Sequence, residues 1–107
     1  MVVASRSTST VIACTLSADE YKTRLAWLAD LTATALRDHR RDDLRLELVY
    51  ARQARERVQE MIRREQKCCA FLTFEVRETA DAVQVTLMAP EAARDAVDDV
   101  FAPFLPK

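Results

Sequence analysis

The first regular pattern of hydrophobic positions begins near residue 11, where larger and smaller side chains alternate. In residues 11–16 the larger apolar side chains Ile12, Cys14 and Leu16 are separated by smaller ones, a pattern typical of a strand with one buried face. The residues before it are rich in Ser and Thr and show no sustained period. We therefore expect residues 1–8 to form a flexible tail and residues 9–107 to form a single domain.

A capping-box motif follows this strand and predicts the start of a helix. Ser17 and Glu20 are three residues apart, so that each side chain can bond the backbone amide of the other. Apolar positions then recur at spacings of three and four. They are Tyr21, Leu25, Leu28, Thr32 and Ala35/Leu36, with Trp27 and Leu31 on one flank. The five polar residues 39–43 end this pattern, and we interpret them as a charged linker.

The period changes to two in residues 44–50 and back to a helical period from about residue 52. Leucines alternate with charged residues in the first of these segments, which predicts a strand. In the second, one face carries the apolar side chains and the other carries most of the charges, which predicts an amphipathic helix. Its apolar face consists of Val58, Met61, Ile62, Glu65 and Cys68/Cys69.

Two more alternating runs, residues 71–77 and 82–88, are separated by a short polar link and predict a β-hairpin. Its predicted core-facing residues are Leu72, Phe74 and Val76 in the first run and Val83, Val85 and Leu87 in the second. Pro90 then suits the first turn of a last helix, and Pro103 is expected to end it. The order β-α-β-α-β-β-α predicts an α+β fold, with a four-stranded antiparallel or mixed sheet and helices mainly on one face.

Charge and hydropathy narrow the classes of partner. Sixteen Lys and Arg against seventeen Asp and Glu give a formal net charge of -1, so the strong positive field that gathers nucleic acid is missing. Residues 1–16 lack the basic start and apolar stretch typical of a secretory signal, and no apolar run approaches about 18 residues. We therefore expect a cytoplasmic protein without nucleic-acid or membrane partners. Self-association as a homodimer, through an exposed helix or sheet face, is a further expectation.

The chemistry of the chain is concentrated in its thiols. Cys68 and Cys69 are adjacent at the end of a predicted helix, and Cys14 is expected to point inward from the first strand. Soft ions such as Hg(II), Cu(I), As(III) and Cd(II) prefer thiolate ligands. Glu65, one turn before Cys69, could add a carboxylate. These four residues form the predicted metal site, and neither catalytic nor cofactor-binding residues are assigned.

Each of these residues also has a purely structural interpretation. Free cysteine commonly fills space in a core as a small apolar side chain. A glutamate on an apolar stripe commonly packs its stem while its carboxylate meets an arginine or water. His39 is expected to be solvated, because it lies in the charged segment of residues 39–43 and has no serine or cysteine motif beside it.

The segment from Glu65 to Phe74, together with Ala13-Cys14-Thr15-Leu16, resembles a group of small uncharacterised bacterial proteins with the pattern "ACTL … ExxCCPFxxF". The resemblance covers about residues 11–101. It implies functional importance for Cys14, Glu65, Cys68, Cys69 and Phe71, and an association with metal or metalloid resistance, although no activity is assigned to the group. The chain departs from the pattern at Ala70, where proline is usual, so its entry into the next strand is less stiff.

Three functions are consistent with these features. The leading hypothesis is a thiol-based binder of a soft metal or metalloid ion. The second is a redox or detoxifying enzyme that uses the Cys68-Cys69 pair, with a disulfide to Cys14 because a direct bond between adjacent cysteines is strained. The third is a non-catalytic, dimeric interaction domain in which all three cysteines are core residues. Whether the protein is an enzyme stays open at this point.

Overall fold

The structure, a computed structural model, describes residues 17–68 and 70–106. The predicted tail, the predicted strand over residues 11–16 and Cys69 lie outside them. The helices are α1 (Ala18–Ala35), α2 (Arg55–Cys68) and α3 (Val97–Phe101), and the strands are β1 (Leu36–Asp42), β2 (Arg45–Ala51), β3 (Thr73–Glu78) and β4 (Ala82–Met88). The strands form an antiparallel sheet in the order β1-β2-β4-β3. The predicted α+β fold is thus confirmed.

The capping box forms as predicted and sets the start of α1. The Ser17 hydroxyl accepts from the Glu20 amide at 3.2 Å, and the Glu20 carboxylate accepts from the Ser17 amide at 2.9 Å. These bonds satisfy donors that the first turn of a helix leaves unpaired. The helix ends where Leu36 takes an extended backbone conformation. Its buried residues are Leu28, Leu31, Thr32 and Ala35, whereas Tyr21, predicted to share this stripe, is 43% exposed.

The prediction of a charged linker over residues 39–43 is wrong. Most of this segment belongs to β1, which pairs with β2 in the register His39 opposite Leu48 and Arg40 opposite Glu47. Beyond Leu36 every residue of β1 is exposed. A strand at a sheet edge can carry charged side chains because nothing covers it, and such charges are common there. His39 is exposed as expected, although on a strand.

One face of the sheet carries the core. Leu46, Leu48 and Tyr50 on β2 lie opposite Leu87, Val85 and Val83 on β4, and all six are at most 1% exposed. They pack with the inner faces of α1 and α2 in a single cluster. Polar residues of all four strands occupy the other face, where they line an open depression of about 750 Å³. The helices therefore cover one side of the sheet and leave the other to solvent.

The predicted hairpin is confirmed, with one difference in burial. β3 and β4 pair antiparallel with Val76 opposite Val85 and Phe74 opposite Leu87, so both β3 residues lie on the core side. Val76 is nevertheless 45% exposed. It lies on β3, an outer strand of the sheet, where a side chain on the core face has a neighbouring strand on one side only. The alternation of apolar residues predicts the face of a strand and not its position in the sheet.

The last segment is divided into short helical turns. A 3-10 helix (Glu91–Ala96) precedes α3, and a second one (Ala102–Phe104) follows it. The helix α3 ends at Phe101, two residues before Pro103, as predicted, and Pro103 lies within the 3-10 turn that follows. Phe101 and Phe104 are both 0% exposed. None of the helices in the described residues is long and apolar enough to cross a membrane.

The tight turn between β1 and β2 depends on Asp43, whose φ angle is 56°. Aspartate and asparagine tolerate this left-handed conformation better than other residues with a side chain. Arg94 donates to both carboxylate oxygens of Asp43, at 2.6 and 3.1 Å. This hydrogen bonding holds the pKa of Asp43 below its ordinary value. The turn thus combines a backbone requirement with an ion pair.

Two substitutions of Asp43 should separate these contributions. Asp43→Asn keeps the tolerated backbone conformation and removes the charge, whereas Asp43→Val also forces a β-branched residue into the left-handed region. We expect the order of stability to be wild type, then Asn, then Val. Because the pKa is lowered in the folded state, the ion pair stabilises above about pH 3.9, the ordinary aspartate value, and its contribution is lost as the pH falls through the folded-state pKa. Urea unfolding at neutral and acidic pH measures both effects, and an Asn variant less stable than the Val variant would contradict the backbone role.

Candidate functional site

The inner face of α2 carries one ionisable residue among apolar ones. Val58 and Met61 are 0% exposed and Glu65 is 1% exposed, so the helical stripe predicted from the sequence is confirmed at these three positions. A buried carboxylate is unfavourable unless it is paired and hydrogen-bonded. The structure therefore requires a partner for Glu65 close to the core.

That partner is Arg24 on α1. Its Nε donates to Glu65 Oε2 at 2.8 Å, and its Nη2 donates to Oε1 at 2.7 Å. The Arg24 side chain is 9% exposed, so both partners of the pair are largely removed from water. Parallel hydrogen bonds of this kind fix the relative position of the two groups. The pair therefore fixes the position of α1 against α2 near the C-terminal end of α2.

Tyr50 approaches the pair from the sheet. Its hydroxyl donates to Met61 Sδ at 3.7 Å. Burial raises the pKa of Tyr50 well above its ordinary value, and the negative charge of Glu65 raises it further. Tyr50 is therefore a neutral hydroxyl at physiological pH. It can donate a hydrogen bond at this site and does not serve as a base.

A cavity of about 460 Å³ opens between α1 and α2 beside the ion pair. Trp27, Leu28 and Met61 provide apolar lining, and Arg64 and Lys67 lie on its α2 side. The Arg64 guanidinium lies 4.5 Å from the centroid of the Trp27 ring, which is a cation–π arrangement. This space has the size and the mixed lining of a small-molecule site.

The predicted metal ligands are described only in part. Glu65 is placed fully, and Cys68 is the last residue of α2, directly after Lys67. Cys14 and Cys69 lie outside the described residues. Within residues 17–68 and 70–106, no three His, Cys, Asp or Glu side chains lie close enough together to hold a metal ion. The thiol site therefore stays a prediction.

Arg24 and Tyr50 were not predicted as residues of the site, and Trp27 was predicted only on the flank of the apolar stripe of α1. The first of these left a signal in the sequence. Arg24 lies four residues before the buried Leu28, so it extends the buried stripe of α1 just as Glu65 extends that of α2. Two opposite charges that each interrupt an apolar stripe are expected to pair if their helices pack together.

Comparison of the chain with protein-family models, with curated proteins and with solved structures finds no match. The resemblance to the "ExxCCPFxxF" pattern accordingly stays a prediction. Function is therefore inferred from the residues of the site: a buried ion pair, an apolar cavity with an aromatic wall, and the helix end that carries Cys68.

Proposed function

We propose that this protein binds a soft metal or metalloid ion through a thiolate site at the C-terminal end of α2. Cys68 and Cys69 are its primary ligands, and Cys14 is a third. The supporting observation is the position of Cys68, which is the last residue of α2 and directly follows Lys67, while Arg64, Glu65 and Lys67 line the cavity between α1 and α2. The buried pair of Arg24 and Glu65 holds α2 against α1 about one turn before Cys68.

The charges around the helix end favour thiolate formation. Lys67 is exposed and makes no ion pair with any residue in the described part of the chain. A cation beside a thiol favours the thiolate, which is the form that binds soft metals. The C-terminal end of the helix dipole opposes this effect. In the proposed site the metal ion itself supplies the remaining positive charge, because coordination deprotonates a thiol.

Glu65 enters the proposal as a supporting carboxylate. Both of its oxygens accept hydrogen bonds from Arg24, so a metal ion would have to displace two charge-assisted bonds to recruit it. Thiolate is in any case the preferred ligand of a soft ion. We therefore assign the binding energy to the cysteines and give Glu65 the role of holding the end of α2 in place.

Titration of the reduced protein with Hg(II), As(III), Cu(I) and Zn(II) tests the proposal. We expect the double variant Cys68→Ser/Cys69→Ser to bind the preferred soft ion at least about 100-fold more weakly, since changes outside the primary ligands typically cost 10- to 100-fold. Isothermal titration calorimetry and the ultraviolet absorbance of metal–thiolate bonds measure the affinity. Cys14→Ser is the matched single-thiol control and should retain part of the affinity. Equally weak binding by the wild type and the double variant would exclude a thiol site.

A further inference from the structure

We propose that two copies of this chain form a symmetric dimer by packing the outer faces of their sheets together. The outer face is the side of the sheet opposite the buried core. Ion pairs between β1 of one copy and β3 of the other fix the orientation of the two sheets. No residue of the proposed thiol site takes part, so the dimer does not depend on metal binding.

Alternate residues of the four strands form the outer face, and the strand registers place them in three rows. Each row runs from β1 through β2 and β4 to β3. The rows are Asp38, Val49, Gln84 and Arg77; Arg40, Glu47, Thr86 and Glu75; and Asp42, Arg45, Met88 and Thr73. None of these side chains is buried, so each row can contact a partner.

The two outer strands carry charges on this face that are not paired within the molecule. They are Asp38 and Arg40 on β1, and Glu75 and Arg77 on β3. In the part of the chain that the structure describes, none of the four takes part in an ion pair. β1 and β3 are separated by three strand spacings of about 4.8 Å each, which keeps their charges apart in one sheet. A second molecule can supply the missing partners.

A two-fold axis that runs parallel to the strands, between β2 and β4, brings opposite charges together. It lays β1 of one copy over β3 of the other and places each row opposite itself. Asp38 then faces Arg77 of the second copy. Arg40 faces Glu75 of the second copy, and symmetry repeats both contacts. Sheets packed face to face lie about 10 Å apart, a gap that an arginine and a carboxylate side chain span together.

The same charges disfavour the other symmetric way of stacking the two faces. A two-fold axis that runs across the strands would place Arg40 opposite Arg40 and Glu75 opposite Glu75. It would also place Asp38 opposite Asp42. Like charges brought together in this way suppress an incorrect arrangement. The order of the charges across the sheet therefore selects one orientation.

The middle of the face is compatible with the selected orientation. Val49 faces Gln84 of the second copy. Glu47 faces Thr86, whose hydroxyl can donate to the carboxylate, and Glu47 keeps its ion pair with Arg45 at 3.1 Å. The row that contains Arg45 places an uncharged side chain opposite each of its two charges. None of the three rows thus opposes like charges.

The size of the face predicts a weak dimer. The strands are six or seven residues long, and with about 3.4 Å per residue and about 4.8 Å between strands the face covers about 450 Å². A standard interface buries about 800 Å² of each partner. We therefore expect association in the micromolar range, with the charges setting the orientation more than the affinity.

Sedimentation equilibrium of the full-length chain tests the dimer, with a reductant present so that cysteines cannot link two copies. Arg40→Glu should weaken association at least about tenfold, because two attractive contacts in each dimer become repulsive. Glu75→Arg should have the same effect for the same reason. Lys22→Glu, at an exposed position on α1, changes the net charge as Arg40→Glu does and should leave association unchanged.

A mixture of Arg40→Glu and Glu75→Arg provides the most specific test. In the mixed dimer each substituted side chain faces one of opposite charge, so association should return to about the wild-type level although each variant alone associates weakly. A folding defect in either variant would persist in the mixture. Recovery therefore reports the contact between the two strands and not the stability of the fold.

Two results would overturn the inference. A wild type that stays monomeric at about 1 mM, where even weak association is detectable, would leave the outer face to a different partner. A wild-type dimer that neither charge reversal weakens, or a mixture that associates no better than its components, would place the contact elsewhere on the molecule.

Discussion

Replacing Arg24 by methionine is expected to lower the free energy of unfolding by about 3–5 kcal/mol, the cost of leaving a buried charge without its partner. The Glu65 side chain is 1% exposed and both of its oxygens accept from Arg24. Methionine preserves much of the volume of the arginine stem and provides no donor. Urea unfolding followed by circular dichroism measures the change.

Arg57 provides a matched control for this prediction. It also joins α2 to α1, through an ion pair with Asp30 at 3.7 Å, but its side chain is 44% exposed and that of Asp30 is 72% exposed. Exposed ion pairs contribute about 0–1 kcal/mol, so Arg57→Met should change stability little. Equal effects of the two substitutions would contradict the role of burial.

The double variant Arg24→Met/Glu65→Leu removes both charges of the pair and so tests whether the loss of stability in Arg24→Met comes from the unpaired carboxylate. Replacing both members of a buried ion pair by apolar residues of similar size is often neutral or stabilising. We therefore expect the double variant to recover most of the stability lost by Arg24→Met. Failure to recover would mean that the effect of the single change comes from packing and not from the unpaired charge.

Replacing Phe104 by alanine should lower the free energy of unfolding by about 3–5 kcal/mol, as is usual for a large aromatic side chain removed from a core. Phe104 is 0% exposed although it lies close to the end of the chain. It belongs to the 3-10 turn that follows α3 and packs with the core residues of α1 and the sheet. Thermal and urea unfolding measure the effect. Pro106→Ala, two residues away at an exposed position, should stay within about 0.5 kcal/mol, and similar losses for both would show that Phe104 is not a core residue.

The parts of the fold that the sequence predicts are those where local pattern and burial agree. β2, α2 and β4 each bury one face, so the period of their apolar residues reports their conformation. The capping box that starts α1 is a local signal, because both of its partners lie within one turn. These elements can be predicted without any knowledge of long-range contacts.

The elements that were missed depend on their place in the finished sheet. β1 is a run of charged residues that forms a strand because β2 offers it a partner, and no alternation of apolar residues marks it. Val76 follows the alternation of apolar residues, but it lies on β3, the outer strand on the other side of the sheet, where neighbouring side chains bury it only partly. Single-sequence patterns carry no information about which strand becomes an edge.

The candidate site was predicted in its residue types and only partly in its arrangement. Glu65 was expected either to bind a metal ion or to meet an arginine, and the structure places it on Arg24, 41 residues earlier in the chain. A pair at that separation depends on how α1 packs on α2, which periodicity alone does not define. The cavity arises from the same packing, so neither its volume nor its aromatic wall could be predicted.

The charged side chains of β1 also bear on how the protein avoids aggregation. An outer strand has unpaired backbone groups that can recruit a strand from another molecule and begin a fibril. Asp38, Arg40, Arg41 and Asp42 on β1 are all exposed, as are Glu75 and Arg77 on the opposite outer strand β3. A strand added at either side would have to accommodate these charges beside it. In the part of the chain that the structure describes, the charges on both outer strands thus disfavour growth of the sheet by strand addition.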